Sequence, residues 1–202
     1  MGKSVDRAAL GFSVHTGWAA LIAVAGTPSS PVILHRTLVE MIPDGDRDPP
    51  RFVYHAGQEL SLGAAERYVR VAAEKSAANA LSALKASVAE LKKRGHDIVA
   101  SGIIGSNRPL DVDLATILKS HSLVHTAEGE LFRGAIKSAS EKLKIPVTEI
   151  AARELPSRAA KVLKISAAEL PERLAKVGRA AGRPWSKDQK DAFLVALIAA
   201  SA

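Results

Sequence analysis

The chain has 202 residues, of which 47% are hydrophobic and 24% charged, a balance that argues against disorder and suffices for one packed core. It contains no cysteine, which excludes a disulfide framework, a thiolate metal centre and a cysteine nucleophile. The net charge of +7 leaves room for an anionic partner, while an aromatic content of 4% argues against gripping single strands by base stacking.

The first ten residues, MGKSVDRAAL, hold no signal-peptide core. Asp6 stands where a myristoylation signal needs Ser or Thr, and Gly2-Lys3-Ser4 lacks the upstream glycine of a phosphate-binding loop. Two apolar runs of strand length follow, 9–14 and 18–25, around the polar corner Ser13-Val14-His15-Thr16-Gly17-Trp18. They predict a hairpin with Trp18 in the core. After a Gly-Thr-Pro-Ser-Ser-Pro turn, partial alternation predicts a third strand over 32–42. Residues 43–59 carry Pro43, Gly45, Pro49, Pro50 and Gly57 and read as a loop. Asp44, Asp46 and Asp48 mimic the start of a calcium loop. Pro49 and His55 stand where that loop needs Gly and Glu, so the match fails.

From 62 to 94 the pattern becomes helical, with Ala77, Leu81, Leu84, Val88 and Leu91 forming one apolar stripe that Gly95 ends. Residues 96–104 predict a buried strand in parallel pairing, and a Gly-Ser-Asn-Arg-Pro turn leads to a helical region over 113–144. Residues 146–152 predict a fifth strand, followed by helices over 155–163, 167–181 and 186–200. The last two start at capping-box spacings, Ser166 with Glu169 and Ser186 with Gln189. The longest apolar run, 192–200, is far short of the ~20 residues of a membrane span and reads as a buried helix. No membrane partner is expected, and a cytoplasmic location is. The order βββαβαβα predicts one α/β domain over 1–202: a mixed sheet of three antiparallel strands and then parallel strands, flanked by helices.

Two patches carry a resemblance. Residues 131–155, LFRGAIKSASEKLKIPVTEIAAREL, and the tail KDQKDAFLVALIAA resemble the ribonuclease H-like superfamily, most closely the bacterial Holliday-junction resolvases. The His-Thr-Gly-Trp-Ala and Ala-Glu-Gly-Glu stretches are similar to a group of bacterial proteins for which the likeness implies no activity. The resolvase resemblance implies a site of four carboxylates holding two Mg²⁺ ions, which activate water and stabilise the leaving oxygen of a phosphodiester. Its two helical aspartates fall on Asp188 and Asp191, its first-strand aspartate on Ser13, and its fourth-strand glutamate on Ser101 or Gly102. Two of the four charges are therefore missing, and a homodimer is implied by the resemblance alone.

Other residues offer chemistry of their own. His121, His125 and Glu128 share a helix face and can hold Zn²⁺, or mark the polar end of a helix. His15, with Ser13 and Thr16, can act as acid, base or phosphate donor, or bond its own turn. Glu130 and Glu154 are further acids, and early-helix acids are favoured by the helix dipole without any function. Asp191, a turn into an apolar helix, needs a partner or a task if buried.

These features favour a diverged, non-catalytic resolvase-like domain. Its corner of Ser13, His15, Asp188 and Asp191, with His125, Glu128 and Glu154 nearby, would bind nucleic acid or another anionic ligand. The alternative is a divalent-metal phosphoester hydrolase on a rearranged His/Glu/Asp set, with Mg²⁺ on Asp188 and Asp191. A third reading is a partner-binding protein that leaves the 62–94 stripe exposed. The first two require the hairpin tip and the start of the last helix to meet at one rim of the sheet.

Overall fold

A computed structural model of the chain describes residues 6–46, 48–107 and 110–202. Gly2-Lys3-Ser4, Arg47 of the calcium-loop mimic, and Arg108 and Pro109 of the turn expected at 105–109 lie outside them. The hairpin forms as β1 (Asp6–His15) and β2 (Trp18–Thr27). Its two-residue turn places Gly17 at φ 84°, where the absence of a side chain removes the strain. The third strand, β3 (Ser30–Glu40), ends two residues before the expected limit. Met41 and Ile42 instead turn inward, both N–H groups donating to the Gly17 carbonyl, and are fully buried.

A short helix, α1 (Val53–Gly57), occupies the stretch expected as loop. The stripe builds α2 (Leu62–Lys93), and Gly95 at φ 89° ends it. Next come β4 (His96–Gly105), α3 (Leu114–Leu118) and α4 (His121–Lys142). The helical region expected over 113–144 is thus two helices, parted at Lys119 and Ser120. Asp113 caps the first by accepting from the Thr116 N–H at 2.7 Å. The remaining elements are β5 (Val147–Ala151), a 3₁₀ turn (Ala152–Glu154), α5 (Leu155–Leu163), a second 3₁₀ turn (Ala167–Glu169), α6 (Leu170–Ala181) and α7 (Lys187–Ala200). The helix expected over 167–181 divides into that second turn and α6. Its capping box of Ser166 and Glu169 is formed, and Ser186 caps α7 by accepting from Gln189.

The strands form one mixed sheet in the order β3-β2-β1-β4-β5, antiparallel from β3 to β1 and parallel from β1 to β5. Alternation along β1 sends Leu10 and Phe12 to one face, where α2 and α4 cover them with Leu84, Leu91, Phe132 and Ile136. The α2 stripe is spent in this core and gives no free apolar face. On the other face α7 lies close against the sheet, buried from Ala192 to Ala199. Two strand glycines permit that approach. A Cβ on Gly11 would stand 2.0 Å from the Ala192 carbonyl oxygen, and one on Gly102 2.4 Å from that of Val195. Ile22, Ile150, Leu155 and Leu163 complete this second core.

Candidate functional site

β1, β4 and β5 are parallel, so His15, Gly105 and Ala151 all finish at one rim of the sheet. α7 runs antiparallel to β1. Its far end packs at Ala199 against Ala9 and Ala100, and its start reaches the rim. There His15 Nε2 and Asp188 Oδ1 lie 2.8 Å apart, a hydrogen bond between residues 173 positions apart in sequence. The imidazole also stacks on Trp18, with ring centroids 4.4 Å apart and 13° between planes. Trp18 is thus a half-buried platform for His15 and not the interior core residue expected.

Asp191 is 21% exposed and forms an ion pair with Lys187, one turn earlier. The hydrogen bond and charge of Asp191, with Asp188 adding its own, push the Lys187 ammonium above its ordinary pKa. Ser13 is two residues beyond Gly11, so it faces the same side as α7, and it is 6% exposed.

The fourth-strand positions, Ser101 and Gly102, lie inside the packed layers. Ser101 is fully buried, with its hydroxyl 3.2 Å from that of Ser140, and Gly102 lies under the Val195 backbone. The register pairs Phe12 with Ile103, so the β4 residue level with Ser13, one step further, is Ile104. It packs into the α7-side core.

A second cluster stands on the other face of the same rim, where α4 begins. Glu128 does not join His121 and His125 as a third donor. It is 2% exposed and accepts from the backbone N–H groups of Val53 (3.1 Å), Tyr54 (2.8 Å) and His55 (3.2 Å). These are orphan donors at the start of α1, so Glu128 caps a helix remote from it in sequence. Burial pushes the Glu128 carboxyl above its ordinary pKa, and the hydrogen bonds from His55 and Tyr54 oppose that rise.

The place expected for Glu128 is taken by His55, whose Nδ1 is 3.3 Å from Glu128 Oε1. The ring of His55 meets those of His125 and His121 at 4.8 and 5.7 Å between centroids. His121 Nε2 and His125 Nε2 are 3.0 Å apart. No sequence signal marks His55, since it lies in a proline- and glycine-rich stretch without periodicity. Glu130 pairs with Arg133 at 2.8 Å and Glu154 with Arg158 at 3.0 Å, so each of these acids has a cation of its own.

The clusters are joined through Arg51. Its aliphatic part lies against Gly17 of the hairpin turn, its Nε donates to the Ile42 carbonyl at 2.9 Å, and two residues later the chain enters α1.

No protein-family model matches the sequence, and no curated protein matches it. Solved structures do share the fold. A Thermus thermophilus RuvC structure superposes with a TM-score of 0.53 at 14% identity, over 95% of this chain and 92% of that one. T. thermophilus RuvC in complex with a Holliday junction substrate gives 0.54 at 14%, over 95% and 91%. The chain therefore has a RuvC-type, ribonuclease H-like fold.

Proposed function

We propose that this protein is a non-catalytic, resolvase-like domain that binds nucleic acid at the sheet rim and the adjoining helices α5 to α7. The observation that carries the reading is the engagement of both remaining carboxylates. Asp188 is hydrogen-bonded to His15, and Asp191 is paired with Lys187. The other two positions that the resemblance implies hold no carboxylate either: a hydroxyl, Ser13, on β1, and Ser101 or Gly102 on β4. Two divalent cations need several formal negative charges to offset their dehydration, and this donor set does not fit a pair of Mg²⁺ ions.

The charge distribution agrees with a nucleic-acid partner. From Arg153 onward the chain carries ten basic and five acidic side chains. Arg158, Lys161, Lys164, Lys176, Arg179, Arg183 and Lys187 are all exposed. Such a surface neutralises backbone phosphates without reading bases. The similar RuvC solved with a Holliday junction substrate makes branched DNA the first ligand to try.

Gel-shift titrations with branched, duplex and single-stranded DNA and RNA test this. Binding that weakens linearly on a log–log plot against salt is expected, with Arg183→Glu and Arg179→Glu each weakening it. No shift with any of these ligands at low salt overturns the reading. Sedimentation of the free protein checks whether the homodimer implied by the resolvase likeness forms.

The alternative, a metal-dependent phosphoester hydrolase on a rearranged His/Glu/Asp set, draws support from the three imidazoles on the same rim. It requires turnover that chelator abolishes and that Asp191→Asn or His125→Ala removes. Nuclease assays indifferent to all three exclude it.

A further inference from the structure

We propose that His55, His121 and His125 form a binding site for one transition-metal cation of the Zn²⁺ class, with a coordination position left open to solvent. Each imidazole offers one nitrogen, and the three nitrogens lie within 4.8 Å of one another. A tetrahedral ion with bonds of about 2.0–2.1 Å to nitrogen holds its donors roughly 3.3 Å apart. The His121 and His125 Nε2 atoms, at 3.0 Å, are already near that spacing. His121 and His125 are exposed and free to adjust, and the half-buried His55 has only to approach them. The pair stands at i and i+4 in the first turns of α4, so one rigid element presents two donors in parallel.

The third donor is oriented by a built second layer. Glu128 Oε1 takes the His55 Nδ1 side of the ring, leaving Nε2 for the cluster. Glu128 is itself fixed by three backbone N–H groups. A carboxylate behind a ligating imidazole sets its tautomer and raises its basicity. Imidazole donors suit Zn²⁺, Ni²⁺ and Cu²⁺, whereas Mg²⁺ and Ca²⁺ take oxygen donors. Three protein ligands leave the fourth position of a tetrahedral ion for water or a ligand oxygen. A cation there would also bind α1 to the start of α4. The site needs neither nucleic acid nor the Asp188–His15 corner.

Untagged, metal-free, full-length protein is titrated with Co²⁺, whose visible bands report tetrahedral coordination, and then with Zn²⁺ in competition with a chromophoric chelator. One equivalent per chain is expected, with Zn²⁺ displacing Co²⁺ and Mg²⁺ failing to compete. Removing an outer-layer partner typically weakens a metal by about 10–100-fold. Glu128→Gln is expected in that range, and His121→Ala or His125→Ala at least at its lower end. His35→Ala, on β3, should change nothing. Absence of a stoichiometric Zn²⁺ complex overturns the proposal, and so does a complex unaffected in the His121→Ala/His125→Ala double variant. Both substitutions lie on exposed turns, so the double variant should stay folded, and circular dichroism checks that it does. Repeating the gel shifts with chelator present keeps this outcome separate from that for nucleic-acid binding.

Discussion

Two helices begin at the same rim, one on each face of the sheet, and they treat charge in opposite ways. α7 buries its length against Gly11 and Gly102 but leaves its carboxylates, Asp188 and Asp191, at the surface beside His15 and Lys187. α4 buries the first of its carboxylates, Glu128, and leaves its imidazoles outside. A surface carboxylate can be satisfied by a mobile side chain or by water. A buried one requires fixed donors, and the three N–H groups of α1 supply them. The α7 corner is therefore adjustable chemistry on an unyielding support, whereas the α4 corner is an organised carboxylate on which a second element, α1, depends.

The largest test of this contrast strikes the support of α7. Gly11→Ala places a methyl group 2.0 Å from a backbone carbonyl, which no side-chain rotation can relieve. The helix must lift, and destabilisation of about 3 kcal/mol or more is expected, read from denaturant midpoints. A variant as stable as the parent would mean that α7 is not held at this distance.

Next comes Glu128→Ala, which breaks the α4 side. Three buried or half-buried N–H groups lose their acceptor, and a loss of about 2–3 kcal/mol is expected. Amide exchange should concentrate the damage in Val53–Gly57, leaving β1 and α7 protected. Uniform exchange across the molecule would show that α1 is no separate dependant of Glu128.

How much of this was legible in the sequence follows the range of the interactions. Strand and helix positions along the chain rest on local periodicity, and the α2 stripe, the Gly95 stop and the Ser166 capping box are all written within a few residues. α1 is not, because a five-residue helix has too few hydrogen bonds to stand alone and its cap comes from Glu128 on α4. His55 was missed with it. His15 and Asp188 were legible as end-of-element residues, although only the packing of α7 on the sheet shows that they touch. Which β4 residue stands level with Ser13 was not legible either. The β1–β4 pairing shifts between Ala8 and Ala9, and no residue pattern announces such an irregularity.

A smaller effect is expected from His15→Ala. The ring is exposed on one side, so losing its bond to Asp188 should cost only about 0.2–1 kcal/mol. The stacking on Trp18 gives a second readout, a change in tryptophan emission. A loss as large as that of Glu128→Ala would place the two corners on an equal footing and remove the contrast.

The smallest effect on stability, and the one that separates folding from function, belongs to Lys187→Ala. Its ammonium is largely exposed, and an i,i+4 pair on a helix surface contributes about 0.3–0.5 kcal/mol. Removing it should therefore leave the denaturant midpoint almost unmoved. It also frees Asp191, so the rim changes from a compensated pair to a bare carboxylate beside Asp188. If the rim meets phosphates, affinity falls for every sequence alike, because a cation is lost and a repelling anion gained, and the salt slope decreases by about one. If instead Lys187 restrains an acid that would otherwise hold a metal, the variant gains a divalent-cation dependence that the parent lacks. Unchanged affinity, salt slope and metal response would mean that the α7 corner is idle surface.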